Sequence, residues 1–324
     1  MQQLFQDKYK PRTINDFGFN SKFNEQFEMF VKQDILDILF IGHSGCGKSS
    51  FLDYVTSTYS QCMSKTEKED NILVINQMKD TSVQYFRQNM KIFCQSYCSI
   101  FNKKKLIIID DIDNINEHCQ QILRSYMDNY HKNVFFIFTC TTSNKVISSI
   151  QSRLQIIKLP SISNNHLRVI TENICKEENI EILPKAMEIL FQLSNLSLRR
   201  LYGFLQLFYL CDTTIDDSNI FTICNCIPFK AIEKYFDHIN KGELKKAIIQ
   251  LYRYIDNGYS CIDIYEHILI YLKQSNQLCD NFKYFVVQKL ANYMCIFYEF
   301  HEDPVELALF SNTLYCYKYA MYIQ

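Results

Sequence analysis

Gly42-His43-Ser44-Gly45-Cys46-Gly47-Lys48-Ser49 is the stretch on which the reading of this chain turns. Its spacing, Gly-x-x-x-x-Gly-Lys-Ser, is that of a P-loop, and its surroundings meet both conditions for one. The apolar run Ile35 to Ile41 ends just before it, and a helical pattern opens after it at Ser50, Phe51 and Leu52. Glycines let successive backbone N–H groups turn inward around phosphate oxygens, and the start of the helix adds a positive partial charge. Lys48 is placed to reach β and γ phosphates, and the Ser49 hydroxyl to bind magnesium. ATP and Mg2+ are therefore the expected ligands, held by the quoted residues together with Ser50. A second acidic element should end a neighbouring strand, and Leu106-Ile107-Ile108-Ile109-Asp110-Asp111 supplies one. Asp110 is expected to hold the magnesium through water. Read alone, two acids after an apolar run suit a solvated turn equally well; the P-loop upstream gives them a role.

Outward from the loop, short apolar runs alternate with helical patterns up to about Pro160. They are Ile35 to Ile41, Ile72 to Ile75, Leu106 to Ile109, Val134 to Phe138 and Ile156 to Leu159. Such alternation predicts a parallel sheet with helices on both faces, and runs without polar alternation predict strands buried on both sides. After Ser161 the period changes to that of helices, as in Leu167, Ile170, Ile174 and Met187, Leu190, Leu193. A polar stretch, Asp212 to Asn219, separates this helical segment from a last one beginning near Pro228. The fold class expected is α/β, then all-α. Its domains are a nucleotide-binding domain over residues 1–160, a small helical lid over 161–225 and a terminal helical bundle over 226–324.

The 324 residues allow two or three separate cores, and a composition 48% hydrophobic and 21% charged is that of a globular protein. Met1 to Arg12 is polar, and no run approaches the roughly 18 apolar residues of a membrane span, so a soluble intracellular protein is expected. Fourteen cysteines are scattered without a Cys-x-x-Cys pair. Neither Cys94 with Cys98 nor Cys224 with Cys226 has a second pair at zinc-finger spacing, so reduced packing residues are expected. With a net charge of -1, bulk electrostatics do not mark a nucleic-acid binder, and any DNA contact must be local.

Several segments together resemble the small subunits of replication factor C, the clamp loaders of the AAA+ class. Asp7-Lys8-Tyr9-Lys10-Pro11 is similar to the Glu-Lys-Tyr-Arg-Pro segment that lies beside the adenine in that family. Gln120 to Asp128 is similar to the helix after the second acidic motif. Lys145-Val146-Ile147-Ser148-Ser149-Ile150-Gln151-Ser152-Arg153-Leu154 matches the segment ending in Ser-Arg-Cys, and Asn257 to Ile264 resembles the collar turn. The likeness thins out after about Gln274.

The resemblance implies roles that the residues alone do not. Tyr9 and Pro11 would line the base pocket, and Arg153, otherwise a surface cation before a strand, would reach the γ phosphate in a neighbouring subunit. Arg199, in Ser197-Leu198-Arg199-Arg200 with Ser197 as N-cap, would sense the subunit's own nucleotide. Arg87 and Lys91, one helical turn apart in Asp80 to Lys91, would touch the DNA backbone without reading sequence. Partners would be the other subunits of a hetero-pentamer, the sliding clamp and primer-template DNA. The location would be the nucleus of a cellular eukaryote, or else the site of viral DNA replication. Two departures touch the chemistry: Asp111 stands where the family has a glutamate that orients the attacking water, and Thr141 where it has a sensor asparagine. Leu154 replaces the cysteine after the finger arginine. Binding elements are thus kept while hydrolytic ones are weakened. Two alternatives stay open, a hydrolysis-deficient scaffold subunit of the same complex and a different AAA+ ATPase of DNA replication or repair.

Overall fold

In a computed structural model, the described residues are 3–33, 35–61, 63–75, 83–100, 103–211, 213–275, 278–299 and 301–320. They form two compact units. The first comprises Met1–Ile180 with Ser194–Leu210, and the second Glu181–Leu193 with Cys211–Gln324.

The first unit is built on five parallel strands, β1 (Ile38–Ile41), β2 (Ile72–Ile75), β3 (Lys105–Ile109), β4 (Val134–Cys140) and β5 (Gln155–Lys158), in the order β2-β3-β4-β1-β5. Each expected apolar run contributes one strand. The central strands β3 and β4 are buried along their whole length, as runs without alternation require. The edge strands differ: β5 is exposed at Gln155, Ile156 and Lys158, and β2 is buried only at Ile75. An edge strand has a neighbour on one side only, so an apolar run there does not guarantee two covered faces.

Successive side chains divide the sheet between two cores. Leu39, Ile107, Ile109, Phe136 and Phe138 pack with Leu123 and Met127 of the helix Glu117–Tyr130 and with Phe86 and Met90. Ile38, Phe40, Leu106, Ile108 and Ile137 pack against Phe51, Leu52 and Val55 of the helix Lys48–Tyr59. Phe51 is the hub of this second core. It is fully buried, with edge-to-face partners Phe27 at 4.9 Å and Phe40 at 5.2 Å and Phe17 at 5.1 Å. Truncating it to alanine leaves a cavity that these rings cannot jointly close, so Phe51→Ala is expected to cost about 3–5 kcal/mol. A fall in the urea midpoint at unchanged slope would report that loss.

The helices Asn164–Glu178 and residues 198–210 cluster with the sheet in the first unit, so the units do not follow the boundaries of the three expected segments. In the second unit, five helices, Phe229–Asn240, Leu244–Asp256, Cys261–Gln274, Asp280–Glu299 and Val305–Ala320, enclose a core that includes Ile239, Leu251, Tyr265, Val286, Phe310 and Leu314. Tyr235 is buried there without losing a hydrogen bond, because its hydroxyl meets Ser311 Oγ at 3.0 Å. Gly258, at φ 92°, makes the turn before Ser260, which caps its helix reciprocally with Asp263. No helix among the described residues is long and apolar enough to cross a membrane. The described cysteines are all free, and no cluster of metal-ligating side chains occurs among the described residues.

Candidate nucleotide site

Strand order sets the site. Because β4 lies between β1 and β3, the turn after β1, the acids after β3 and the end of β4 meet at one edge of the sheet, outside its carboxyl ends. The Gly42 N–H donates to Cys140 O at 3.2 Å, carrying the β1–β4 ladder one step into the loop. Gly45 and Gly47 then take φ of 77° and 95°, a region costly for residues with a Cβ. At Gly45 an added Cβ would also run into Ser197 Oγ. Gly47 is the N-cap of the helix that begins at Lys48.

Lys48 is 7% exposed, and its ammonium donates to Gly42 O at 2.9 Å, His43 O at 3.2 Å and Thr141 Oγ1 at 3.3 Å. Three oxygen acceptors thus hold the cation inside the loop it serves. The Ser49 hydroxyl donates to Asp110 Oδ2 at 2.7 Å, and the Thr139 hydroxyl donates to Asp110 Oδ1 at 2.5 Å. Thr139 Oγ1 also accepts the Asp111 N–H at 2.8 Å, so a single hydroxyl holds the Asp110 carboxylate and the backbone of Asp111.

Asp111 sits in the left-handed region at φ 52°, ψ 59°. A non-glycine residue held there carries about 1–3 kcal/mol of strain. Burial, reinforced by the neighbouring Asp110 charge, raises its carboxyl above the usual range, while Lys48 opposes the shift. Asp113 fixes the end of β4 from below, accepting from the N–H groups of Thr141 at 3.0 Å and Thr142 at 3.2 Å.

A cavity of about 590 Å³ opens over these groups, a size suited to a nucleotide. Ser44 to Ser50, Asp111, Thr141 and Arg199 line it together with Tyr9, Pro11, Ile170, Ile174 and Tyr202. Tyr9 is anchored by its hydroxyl, which donates to Glu178 on the helix Asn164–Glu178. The helix carrying Arg199 is tied to the loop directly, through Leu198 N–H donating to Gly45 O at 3.0 Å. The expected cap from Ser197 is long, 3.5 Å to the Arg200 N–H. Gly42, His43 and Asp110 are not part of this lining.

Residues 38–160 match the model of the ATPase family associated with various cellular activities. They are an AAA ATPase domain. Over most of its length the chain is similar to replication factor C small subunits. It is 23% identical over 260 residues to replication factor C subunit 4 of Oryza sativa subsp. japonica, covering 80% of this chain and 76% of that one. It is 24% identical over 311 residues to the replication factor C small subunit of Thermoplasma acidophilum, covering 95% of each. Among solved structures, the RuvB Holliday junction branch migration motor of Thermotoga maritima superposes with a TM-score of 0.51 at 16% identity, covering 84% of this chain and 92% of that one. That last likeness concerns the fold.

Three of the residues singled out in the sequence stand apart from the AAA domain's cavity. Arg153 lies beside a second hollow of about 340 Å³ together with Asp37, Asp128 and His131. Arg87 meets His118 Nε2 through Nη2 at 3.0 Å, and Lys91 is exposed. The single helix expected from Asp80 to Lys91 is a correction: residues 80–82 lie outside the described residues, and those from Val83 onward form two helices, Val83–Arg87 and Asn89–Gln95, broken at Gln88. Tyr126 supplies the cause. Its hydroxyl donates to Phe86 O at 2.9 Å and reaches Arg87 O at 3.4 Å, carbonyls that a continuous helix would pair with the N–H groups of Met90 and Lys91.

Sequence reasoning passed over Thr139, Asp113 and Gln120. Gln120 is 1% exposed; its amide donates to Ile115 O and Lys145 O, both at 3.0 Å, and its oxygen accepts the Ile147 N–H at 2.9 Å. It pins the turn after Asp111 to the segment leading to Arg153. Thr139 did carry a signal, as the one polar residue in the run Val134 to Cys140.

Proposed function

We propose that this chain is an ATP-binding subunit of a DNA sliding-clamp loader. Its segments would be a nucleotide-binding domain (1–160), a helical lid (161–225) and a helical collar (226–324), assembled with other AAA+ subunits into a hetero-pentamer that places a clamp on primer-template DNA. One observation carries this reading. Similarity to replication factor C small subunits runs over 95% of this chain and of the archaeal relative, far beyond the AAA domain. A branch-migration motor is disfavoured because, among the described residues after Pro228, only helices occur, with no strands for a winged helix.

Lys48 and the inward N–H groups of Gly45 to Ser49 bind the β and γ phosphates. Ser49 Oγ and Asp110 Oδ2, 2.7 Å apart, are hard oxygen donors of the kind magnesium takes alongside its waters, so the residues present fit that ion. Bound there, it would neutralise charge on the phosphates. Tyr9 and Pro11 flank the base, and Arg199 reports the phosphates to its helix. Arg153 serves a neighbouring subunit's ATP, and Arg87 and Lys91 contribute backbone contacts to DNA, a few charges that suffice when several subunits add theirs. The place of action is the nucleus, or the replication site of a DNA virus.

A second reading is supported by Asp111 and Thr141. The shorter acid is strained and raised by burial above the usual carboxylate range, and Thr141 reaches Lys48 with a hydroxyl instead of an amide. A misplacement of about 1 Å in a water-orienting group can cost about 10²-fold in rate. The subunit then binds ATP, donates Arg153 and hydrolyses little itself. The test of both is reconstitution with partner AAA+ subunits and clamp, followed by ATP turnover with and without primer-template DNA. Association and DNA-stimulated turnover are expected, with Asp111→Glu raising the share from this subunit's own site. A chain that joins no other AAA+ subunit overturns the clamp-loader reading.

A further inference from the structure

We propose that Asp128 is the positioning residue for Arg153, holding the guanidinium in the attitude from which it serves the neighbouring subunit's nucleotide. This rests on the clamp-loader reading above, and it concerns a residue to which the resemblance gives no role.

Arg153 is not a loose surface side chain. Its Nε donates to Asp128 Oδ1 at 2.5 Å and its Nη2 to Asp128 Oδ2 at 3.2 Å, a side-on bidentate pair. Nη1 donates to Ser149 O at 2.5 Å and, more weakly, to Ser152 Oγ at 3.4 Å. A guanidinium has five N–H donors in a rigid fork, and four are accounted for. Only one N–H, on Nη2, remains without a partner among the described residues. The side chain is still 31% exposed, beside the hollow lined by Asp37 and His131. A long, solvent-reaching arginine is therefore fixed on two edges and open on one. The carboxylate stands on the helix Glu117–Tyr130, whose Leu123 and Met127 are buried in the sheet core, so its own position is set by the fold.

This is what a trans-acting cation needs. Electrostatic assistance to a transferring phosphoryl group depends on a charge already in place when the reaction occurs. An unrestrained arginine would have to lose its rotamer freedom at that moment. Asp128 removes that freedom in advance, and its side-on grip leaves the outer N–H for the γ phosphate. Arg124, 3.6 Å from Asp128 Oδ2 through Nε, shares the same carboxylate, which the Arg153 hydrogen bond first and the Arg124 charge after it hold below the usual carboxylate range. The alternative geometry, in which Asp128 withholds the arginine, makes the opposite prediction for its removal.

The experiment uses the reconstituted assembly and four variants of this chain: Asp128→Asn, Asp128→Glu, Arg153→Ala and the double Asp128→Asn/Arg153→Ala. Asp128→Asn is expected to lower kcat for ATP by about 10- to 10²-fold with KM unchanged, the size of effect that misplacing a catalytic group by about 1 Å produces. Asp128→Glu should recover most of the rate, and the double variant should be no slower than Arg153→Ala, since both changes act through one guanidinium. Melting temperature and subunit association, measured on each variant, separate this from a folding defect: Asp128 is exposed, and both should stay at the wild-type level. Should Arg153→Ala leave turnover intact, the clamp-loader assignment of Arg153 falls. Should Arg153→Ala slow turnover while Asp128→Asn matches or exceeds wild type, or lowers it additively in the double variant, the role given to Asp128 is wrong.

Discussion

Lys48→Ala is expected to weaken ATP binding by about 10²- to 10⁴-fold and to abolish the stabilisation that nucleotide confers. The magnitude follows from two charge-assisted contacts, to the β and γ phosphates, each worth about 1.5–3 kcal/mol, with about 1.4 kcal/mol per factor of ten. The lysine has no local substitute. Its ammonium is the buried cation against Gly42 O, His43 O and Thr141 Oγ1, while Arg199 approaches the cavity from another helix. Removing it also strips a donor from two loop carbonyls, so the empty loop loses some order, although the sheet core is untouched. Titration with ATP and magnesium measures the affinity. A thermal scan measures the consequence: ATP at 100 times its Kd stabilises wild type by about 2.7 kcal/mol, or about 5–10 °C for a unit of about 200 residues, and the variant should not respond. An alanine variant that binds ATP normally would mean that Gly42 to Ser49 is not the phosphate site.

The sequence made that site legible because its chemistry is local. A loop that turns backbone N–H groups inward needs glycine at fixed positions, and Gly45 and Gly47 occupy left-handed conformations. Asp110 was readable only with that loop upstream, because two acids after an apolar run suit a solvated turn equally well. The strands were legible for a related reason: a strand covered on both faces is apolar throughout, as β3 and β4 are. What escaped depends on contacts between distant segments. Thr139 joins Asp110 and Asp111 from another strand, and Gln120 joins two turns 30 residues apart along the chain. The break at Gln88 escaped because its cause, the Tyr126 hydroxyl, lies about 40 residues downstream. Helical periodicity reports which face is buried and says nothing of a side chain that intrudes on the backbone ladder. Asp128 was quoted as part of a helix, yet nothing in that helix points to Arg153, 25 residues further on.

Arg153→Ala should leave this chain's own ATP affinity where it was and lower the turnover of the assembly by about 10³-fold or more at the neighbouring site, the range over which a trans-acting arginine accelerates phosphoryl transfer. The first half follows from placement. Arg153 lies outside the residues lining the cavity over Lys48, beside a separate hollow with Asp37, Asp128 and His131. The second half follows from what the residue offers, a permanently charged fork already oriented by Asp128. Paired with Lys48→Ala, it gives a double dissociation. One change removes binding at this subunit and, with Asp111 strained and Thr141 in place of an amide, subtracts little from total hydrolysis. The other spares binding here and removes most hydrolysis next door. Binding titrations on the isolated chain and turnover on the assembly measure the two halves separately. If the Lys48 change cost more turnover than the Arg153 change, this subunit's own site would be the hydrolytic one, and Arg153 would be an arginine held by an aspartate for the stability of its own chain.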